Sequence, residues 1–343
     1  MMKIIECVPN LSEGRNEIAL GIIKNSLNGI PNCQILNFEP DHDYNRTVIT
    51  FAGNESGILE GALAISRAAA QNIDMRNHKG EHPRIGAIDV VPFISVKNTS
   101  VEDCIRISEQ YAKIIADELN VPVFLYESSA RKAERINLSN IRKGEYEGLQ
   151  EKLKDENWKP DFGPSEFNPE LGAIVTGARF FLIAYNINIR NQDVKYSKEI
   201  SEIIRESGTP KKDREGKPIK ENGQIVREGG RLKNVKGMGV KLEKYDITQV
   251  SMNLTNYNIT PLHIAYEEVK KEAERLGVKV SGSEIVGLIP LEALLLAGKY
   301  YAQGQNMSED SMVDLAIDKL GLNDIRPFNK KEKIIDYLIK DFN

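Results

Sequence analysis

The sequence predicts an α+β protein of two ferredoxin-like subdomains, with mixed or antiparallel sheets, helices packed on one face, and a cleft shared by the subdomains. Three observations carry this expectation. Residues 3–126 read as strand and helix in the order β-α-β-β-α-β-α-β, whose first six elements match the split βαβ unit. The second half repeats the theme less regularly. Between the halves lies Trp158-Lys159-Pro160-Asp161-Phe162-Gly163-Pro164-Ser165, too rich in breakers for regular structure and placed where a domain junction or binding loop belongs. A chain of 343 residues suffices for two domains. They are expected at 1–178 and 179–326, followed by a C-terminal helix over 327–343.

Each element has a local reason. Residues 3–8 are strand-like, and the polar run 9–15 reads as a loop. Residues 16–27 place Ile18, Ile22, Ile23 and Leu27 at helical spacing. Residues 34–38 and 47–52 read as strands, with a turn by composition over 39–46. An alanine-rich helix is expected over 56–70, with Ser56 as its N-cap. A strand over 86–94, a long amphipathic helix over 101–119 and a strand over 121–126 follow. In the second half, 180–189, 235–242 and 247–254 read as strands and 194–206 looks helical. Thr260 and Pro261 open a helix over 262–276, and helical patterning returns over 292–300, 308–320 and 330–339. Residues 211–231 are dense in charge and centre on Asn222-Gly223, the commonest two-residue hairpin turn. A charged hairpin in solvent is the plainest reading there, and a lid or dimer arm is the other.

Composition narrows the function. Net charge is −4, so no global basic footprint marks the chain for nucleic acid or an anionic membrane, and any anion site must be local. Cys7, Cys33 and Cys104 form no CxxC pair, which suggests neither a disulfide framework nor a zinc knuckle. Apolar runs fall short of the ~18 residues of a membrane span, and the N-terminus enters a strand rather than a secretory signal. The expectation is a cytoplasmic protein with reduced thiols.

One stretch concentrates the chemistry. His78-Lys79-Gly80-Glu81-His82-Pro83-Arg84 holds two of the four histidines and runs into an apolar strand. An imidazole titrates near neutrality, and a stiff loop at a strand's mouth is a common seat for proton transfer. Lys79 and Arg84 would attract an anionic substrate. The spacing of His78 and His82 superficially matches a helical metal site, but Gly80 and Pro83 argue against a helix, so no metal is expected. Each ring alone also reads as a structural histidine, although the charged neighbours Glu81 and Arg84 count against this for His82. His42 reads as part of a solvated turn and His263 as a packing or capping residue. Asp161 to Gly172 sets two phenylalanines among breakers, a loop able to hold a flat ring. Composition alone favours an interdomain linker there, anchored by Phe162 and Phe167.

Three segments together resemble glutamate formiminotransferases: Glu6-Cys7-Val8-Pro9-Asn10-Leu11-Ser12-Glu13-Gly14-Arg15, the run from His78 to Phe93, and Asp161-Phe162-Gly163-Pro164-Ser165. Asn45-Arg46-Thr47-Val48, Gly144-Glu145-Tyr146-Glu147, the run from Gly177 to Asn188, and Val286-Gly287-Leu288-Ile289-Pro290 are similar too. The resemblance covers nearly the whole chain. It implies transfer of a formimino group from N-formimino-L-glutamate to N5 of tetrahydrofolate, in histidine degradation, by a homodimer with two α+β subdomains around a cleft or tunnel. The family's proton-transfer histidine, in Gly-Glu-His-Pro-Arg, falls on His82. The family's folate loop falls on Gly163, Pro164, Ser165, Glu166, Phe167, Asn168, Pro169, Glu170, Leu171 and Gly172. Glu39 stands where vertebrate members carry an active-site aspartate, and the 211–231 hairpin is longer than theirs. The chain also stops where the bifunctional vertebrate enzyme continues into a cyclodeaminase, which implies a transferase alone and a deaminase, if any, on a separate chain.

On that resemblance, one imidazole between the attacking and departing nitrogens can move the proton from one to the other, worth ~10²–10⁴-fold. His82 is the candidate. Glu39 is expected to orient it or to stabilise the amidinium, and Arg46, Lys79 and Arg84 to bind substrate carboxylates. Tetrahydrofolate enters as co-substrate, and no metal is expected because the transferred group is already cationic. Two other readings stay open: a glutamate formyltransferase on the same scaffold, and a non-catalytic folate-binding protein.

Overall fold

Residues 3–221 and 224–339 are described by the computed structural model, and the chain divides into two units, one running to Phe180 and one from Phe181. The first holds β1 (Ile4–Cys7), β2 (Asn10–Leu11), α1 (Glu17–Asn25), β3 (Cys33–Asp41), β4 (Arg46–Gly53), α2 (Glu55–Asn72), β5 (Ile88–Lys97), α3 (Val101–Leu119), β6 (Val123–Leu125), α4 (Leu138–Arg142), α5 (Glu145–Lys152) and β7 (Ile174–Ala178). Its sheet starts in the ferredoxin-like order: β3 pairs β4, β4 pairs β1 and β1 pairs β5, all antiparallel. Beyond β5 it turns parallel, through β7 to β6. Strand β7 went unseen in the sequence because all its residues are buried, which leaves no polar alternation to recognise. Strand β3 runs on through Glu39, Pro40 and Asp41, where a turn was expected. Among the described residues it pairs only with β4, and an edge strand tolerates proline.

Alternation sorts the two faces of this sheet. Ile5, Cys7, Ile49, Phe51, Val91 and Phe93 join one core with residues of α1, α2 and α3, each fully buried aliphatic side chain contributing about 1.5–3 kcal/mol relative to exposure. A capping box between Ser100 and Asp103 starts α3, and Asn120 in the left-handed region stops it. The cap of α2 is Asn54 and not Ser56: the Asn54 side chain accepts from Gly57 N at 2.9 Å, and Ser56 Oγ donates to it. The opposite face is covered too. Val90, Phe124, Tyr126 and Val175 pack there with Ile141, Leu149 and Leu153, which corrects the expectation of helices on one face only.

The second unit holds β8 (Ile183–Ile189), α6 (Val194–Ile204), β9 (Thr209–Pro210), β10 (Lys220–Glu221), β11 (Gln224–Ile225), β12 (Arg227–Glu228), β13 (Val235–Leu242), β14 (Ile247–Leu254), α7 (Leu262–Arg275), β15 (Val280–Val286), α8 (Leu291–Ala302), α9 (Glu309–Lys319), α10 (Lys330–Lys333) and α11 (Ile335–Leu338). Its main sheet, β13-β14-β8-β15, is antiparallel throughout and repeats the order β3-β4-β1-β5 of the first. Two ferredoxin-like α+β units are therefore present. Strand β15 escaped the sequence reading because a register shift at Val280/Gly282 breaks its alternation. Where one C-terminal helix was expected, α10 and α11 meet at Ile334. Glu221 pairs with Gln224 across the charged hairpin, and its Asn222-Gly223 turn lies outside the described residues. Among the described residues, no helix is long and apolar enough to cross a membrane.

Candidate active site

The segment between α2 and β5 carries His78 and His82, and its path is set by close backbone packing. A Cβ on Gly80 would lie 2.4 Å from the Tyr44 carbonyl oxygen, so only glycine lets the segment lie against the turn between β3 and β4. Asn45, buried at φ 49°, ties the pieces together. Its Nδ2 donates to Lys79 O at 3.0 Å, its Oδ1 accepts from Gly14 N at 2.9 Å, and its carbonyl accepts from His78 Nε2 at 3.0 Å. Arg15 adds hydrogen bonds to His42 O at 2.8 Å and Lys79 O at 3.3 Å. Three sequence segments, 9–15, 39–46 and 78–84, thus become one cluster.

His82 is held at both ring nitrogens. Nδ1 lies 2.8 Å from Pro83 O, and Nε2 lies 2.6 Å from Arg46 Nη1. A carbonyl only accepts and a guanidinium only donates. The proton therefore sits on Nδ1, the Nε2 lone pair faces Arg46, and the ring is neutral. Burial, then the charges of Arg46 and Arg142, push the pKa down to about 4, against the opposing pull of Asp89 and the Pro83 carbonyl. Tyr44 meets the ring edge-on, with centroids 6.1 Å apart. Behind it, buried Asp89 accepts from Ile85 N at 3.0 Å and pairs with Arg142. Burial lowers the pKa of Arg46 to about 10, and its Nε is buried without a hydrogen-bond partner among the described residues. Two guanidiniums share one buried carboxylate here, a local positive excess within an acidic chain.

His78 adopts the other tautomer, donating from Nε2 to Asn45 O and accepting at Nδ1 from Arg84 Nε at 3.3 Å. Burial lowers its pKa. Arg84 is committed: Nη1 donates to Glu145 at 3.0 Å and Glu147 at 2.8 Å, and Nη2 donates to Glu147 at 2.6 Å. Expected to await a substrate carboxylate, it already faces two carboxylates of α5. Lys79 is exposed on the rim of an open depression of about 470 Å³, lined also by His78, Arg84, Glu145 and Glu147. His82 does not line that depression. It borders a small, partly open space of about 10 Å³ with Tyr44, Arg46, His78 and Asp89.

The structure does not place Glu39 against His82. Its Oε1 accepts from Asn37 Nδ2 at 2.8 Å. Glu39 pairs with Val48 and Asp41 with Arg46, so Glu39 shares a sheet face with Arg46. Residues 163–172 lie within the first unit and are not a linker between the two. Phe162 packs on the larger core and Phe167 on the smaller. Asn168 Oδ1 accepts from the amides of Glu170 and Leu171 at 3.1 and 3.0 Å. Glu170 O accepts from Met75 N at 2.8 Å and Leu171 O from Ala87 N at 2.9 Å. The residues that carry His82 are thus fastened at both ends to this loop, while Gly163, Ser165, Glu166, Pro169 and Glu170 are exposed. Gly172, at φ 70°, has room for no side chain: a Cβ would lie 2.2 Å from Ile85 O.

Sequence reasoning missed Asn45, Asp89, Arg142, Glu145 and Glu147 as parts of the site. It also missed Glu6, a residue 3% exposed whose carboxyl is pushed up to about 7 by burial, with Arg179 opposing. An acid inside an otherwise apolar strand was the available signal. His263 is buried and stacks on Tyr300 at 4.3 Å. Among the described residues no three His, Cys, Asp or Glu side chains gather as a metal site.

Residues 4–179 match the family described as formiminotransferase domain, N-terminal subdomain, and residues 184–340 match the formiminotransferase domain. A glutamate formimidoyltransferase of Streptococcus pyogenes serotype M1 is 40% identical, over 88% of this chain and 94% of its own length. One from Thermoplasma acidophilum is 40% identical over 93% of this chain and 98% of its own. A formimidoyltransferase-cyclodeaminase of Dictyostelium discoideum is 45% identical over 99% of this chain, which spans 61% of that protein's length.

Proposed function

The chain belongs to the formiminotransferase family, and from that premise we propose that it transfers the formimino group of N-formimino-L-glutamate to N5 of tetrahydrofolate, releasing L-glutamate. The observation that carries the reading is a neutral His82 whose Nε2 lone pair points into an arginine-rich pocket. When N5 bonds to the amidine carbon, it must shed a proton, and the departing glutamate nitrogen must gain one. His82 Nε2 takes the first proton and returns it to the second nitrogen. A ring already neutral across the physiological range does not lose part of its population to the protonated form. Pro83 O holds the other nitrogen and so keeps the ring's orientation.

Both substrates carry carboxylates, and Arg46 and Lys79 are the cations assigned to them, Arg46 with bidentate geometry. Arg84 leaves this set because Glu145 and Glu147 occupy it. Its role is to hold His78 and the segment around it. Glu39 is assigned to the cationic formimino group, supported by the sheet face it shares with Arg46. The stretch Gly163 to Gly172, exposed at Gly163, Ser165, Glu166, Pro169 and Glu170, is assigned to tetrahydrofolate, with Phe167 and its neighbour Tyr146, whose rings lie 5.4 Å apart, as apolar support for a flat ring. The family resemblance further supports a cytoplasmic homodimer.

The test supplies the purified protein with tetrahydrofolate and, in parallel, N-formimino-L-glutamate or N-formyl-L-glutamate. Transfer from the formimino donor is the expected result. Transfer from the formyl donor alone would move the substrate, and tetrahydrofolate binding without transfer would make the chain a binding protein.

A further inference from the structure

The lone pair that the proposed reaction uses is the one Arg46 holds. With Nη1 at 2.6 Å from Nε2, no substrate nitrogen can reach the base along that direction. The ring cannot present its other nitrogen instead, because Nδ1 is committed to Pro83 O. The free site therefore contains a base that is occupied as well as neutral.

Arg46 also has reason to leave. Asp89 is the carboxylate whose charge acts most strongly on Arg46, and it already serves Arg142 and the Ile85 amide. Arg46 Nε is buried with no partner among the described residues, and a guanidinium carrying an idle N–H beside a neutral imidazole is poorly matched. An arriving carboxylate offers Nε and an Nη a bidentate, charge-assisted pairing worth more than a single bond to an imidazole. The space of about 10 Å³ among Tyr44, Arg46, His82 and Asp89 admits no more than about one water, so a ligand enters only as a side chain moves.

We infer that Arg46 is the residue that decides when His82 becomes a base: its guanidinium caps Nε2 in the free site, and a substrate carboxylate draws it away. The inference rests on the proposed donor carrying a carboxylate, and it makes that carboxylate a requirement for turnover as well as for binding. The charged and titratable groups around the ring are Arg46 from β4, Asp89 from β5, Arg142 from α4, Tyr44 from the turn, and His78 and Arg84 from its own segment, with the Pro83 carbonyl on Nδ1. Of these, Arg46 alone touches Nε2. Its neutralisation by a carboxylate removes both the cap and the closest positive charge, so the imidazole gains basicity on binding.

The experiment is a pH titration of the full chain labelled with ¹⁵N-histidine, followed by NMR, with and without saturating L-glutamate as the carboxylate probe. Wild type alone should show His82 as the Nδ1–H tautomer with its midpoint near 4, and L-glutamate should raise that midpoint by at least about one unit. Arg46→Met should show the raised midpoint without ligand and no further movement with it. The wild-type arm needs no substitution, so it decides the matter even if the variant misfolds. L-glutamate binding that leaves the midpoint unmoved, an Arg46→Met midpoint equal to wild type, or no glutamate binding at all would each overturn the inference. A protein that shows the glutamate response yet transfers no formimino group keeps the gate and loses the assigned reaction, so the two failures are distinguishable.

Discussion

His82 and Glu6 are displaced from their ordinary ionisation in opposite directions by the same cause, burial that disfavours the charged form. For His82 the folded value is about 4 against an ordinary 6.5. Between these the unfolded chain binds more protons, so its contribution to stability is intact above pH 6.5 and is lost as pH falls toward 4. For Glu6 the folded value is about 7 against 4.5. Between these the folded chain binds more protons, so that stability is present below pH 4.5 and is lost as pH rises through 7. Thermal melts should therefore show His82→Gln less sensitive than wild type to acid between pH 6.5 and 4. Glu6→Gln should melt above wild type at pH 8 and close to it near pH 4.5. A Glu6→Gln variant destabilised equally at both pH values would mean that the carboxylate is needed charged. At this scale the sequence was informative about His82, one of four histidines on a Gly- and Pro-interrupted segment. It was silent about the hydrogen bond to Arg46, because the fold joins residues 36 positions apart.

The strands and helices turn scattered side chains into a site, and α5 shows how. Glu145 and Glu147 reach Arg84, and Arg84 reaches His78. Arg84→Ala leaves two partly exposed carboxylates and one imidazole without their partner, and should cost about 1–2 kcal/mol once solvent screening is allowed for. Because the segment would then lose its register, kcat should fall while the KM for the formimino donor stays within about twofold. A rise in that KM with kcat unchanged would return Arg84 to the carboxylate-binding set. Gly80→Ala should keep the far-UV spectrum of wild type and lose at least about tenfold in activity, since a Cβ there meets the Tyr44 carbonyl. The strands with clear alternation and the capped helix α3 were legible in advance. Strand β7, buried throughout, and α4 and α5, whose apolar residues Ile141 and Leu149 stand among charges, were not. Neither offers a periodic stripe. That is also why Arg84 read as a free cation: its two partners sit on a helix that the pattern did not reveal.

Across the whole molecule the same strand order occurs twice, in β3-β4-β1-β5 and in β13-β14-β8-β15; the first was legible because a split βαβ order follows from element order alone, and the second was legible except for its last strand, β15. The parallel extension of the first sheet was not, since pairing partners are a property of tertiary packing. Every group named around His82 precedes Phe180, the end of the first unit. A fragment of residues 1–180 that folds should therefore keep His82 neutral with its midpoint near 4; a midpoint near 6.5 in a folded fragment would show that burial by later residues sets the ring's state. The measurement that bears most directly on the assigned chemistry is the single-turnover rate of formimino transfer by wild type and His82→Ala, with tetrahydrofolate binding measured on both. A fall of at least about 100-fold in rate, with binding unchanged, is the result expected of a proton-transferring histidine. A variant that transfers the group at close to the wild-type rate would contradict it.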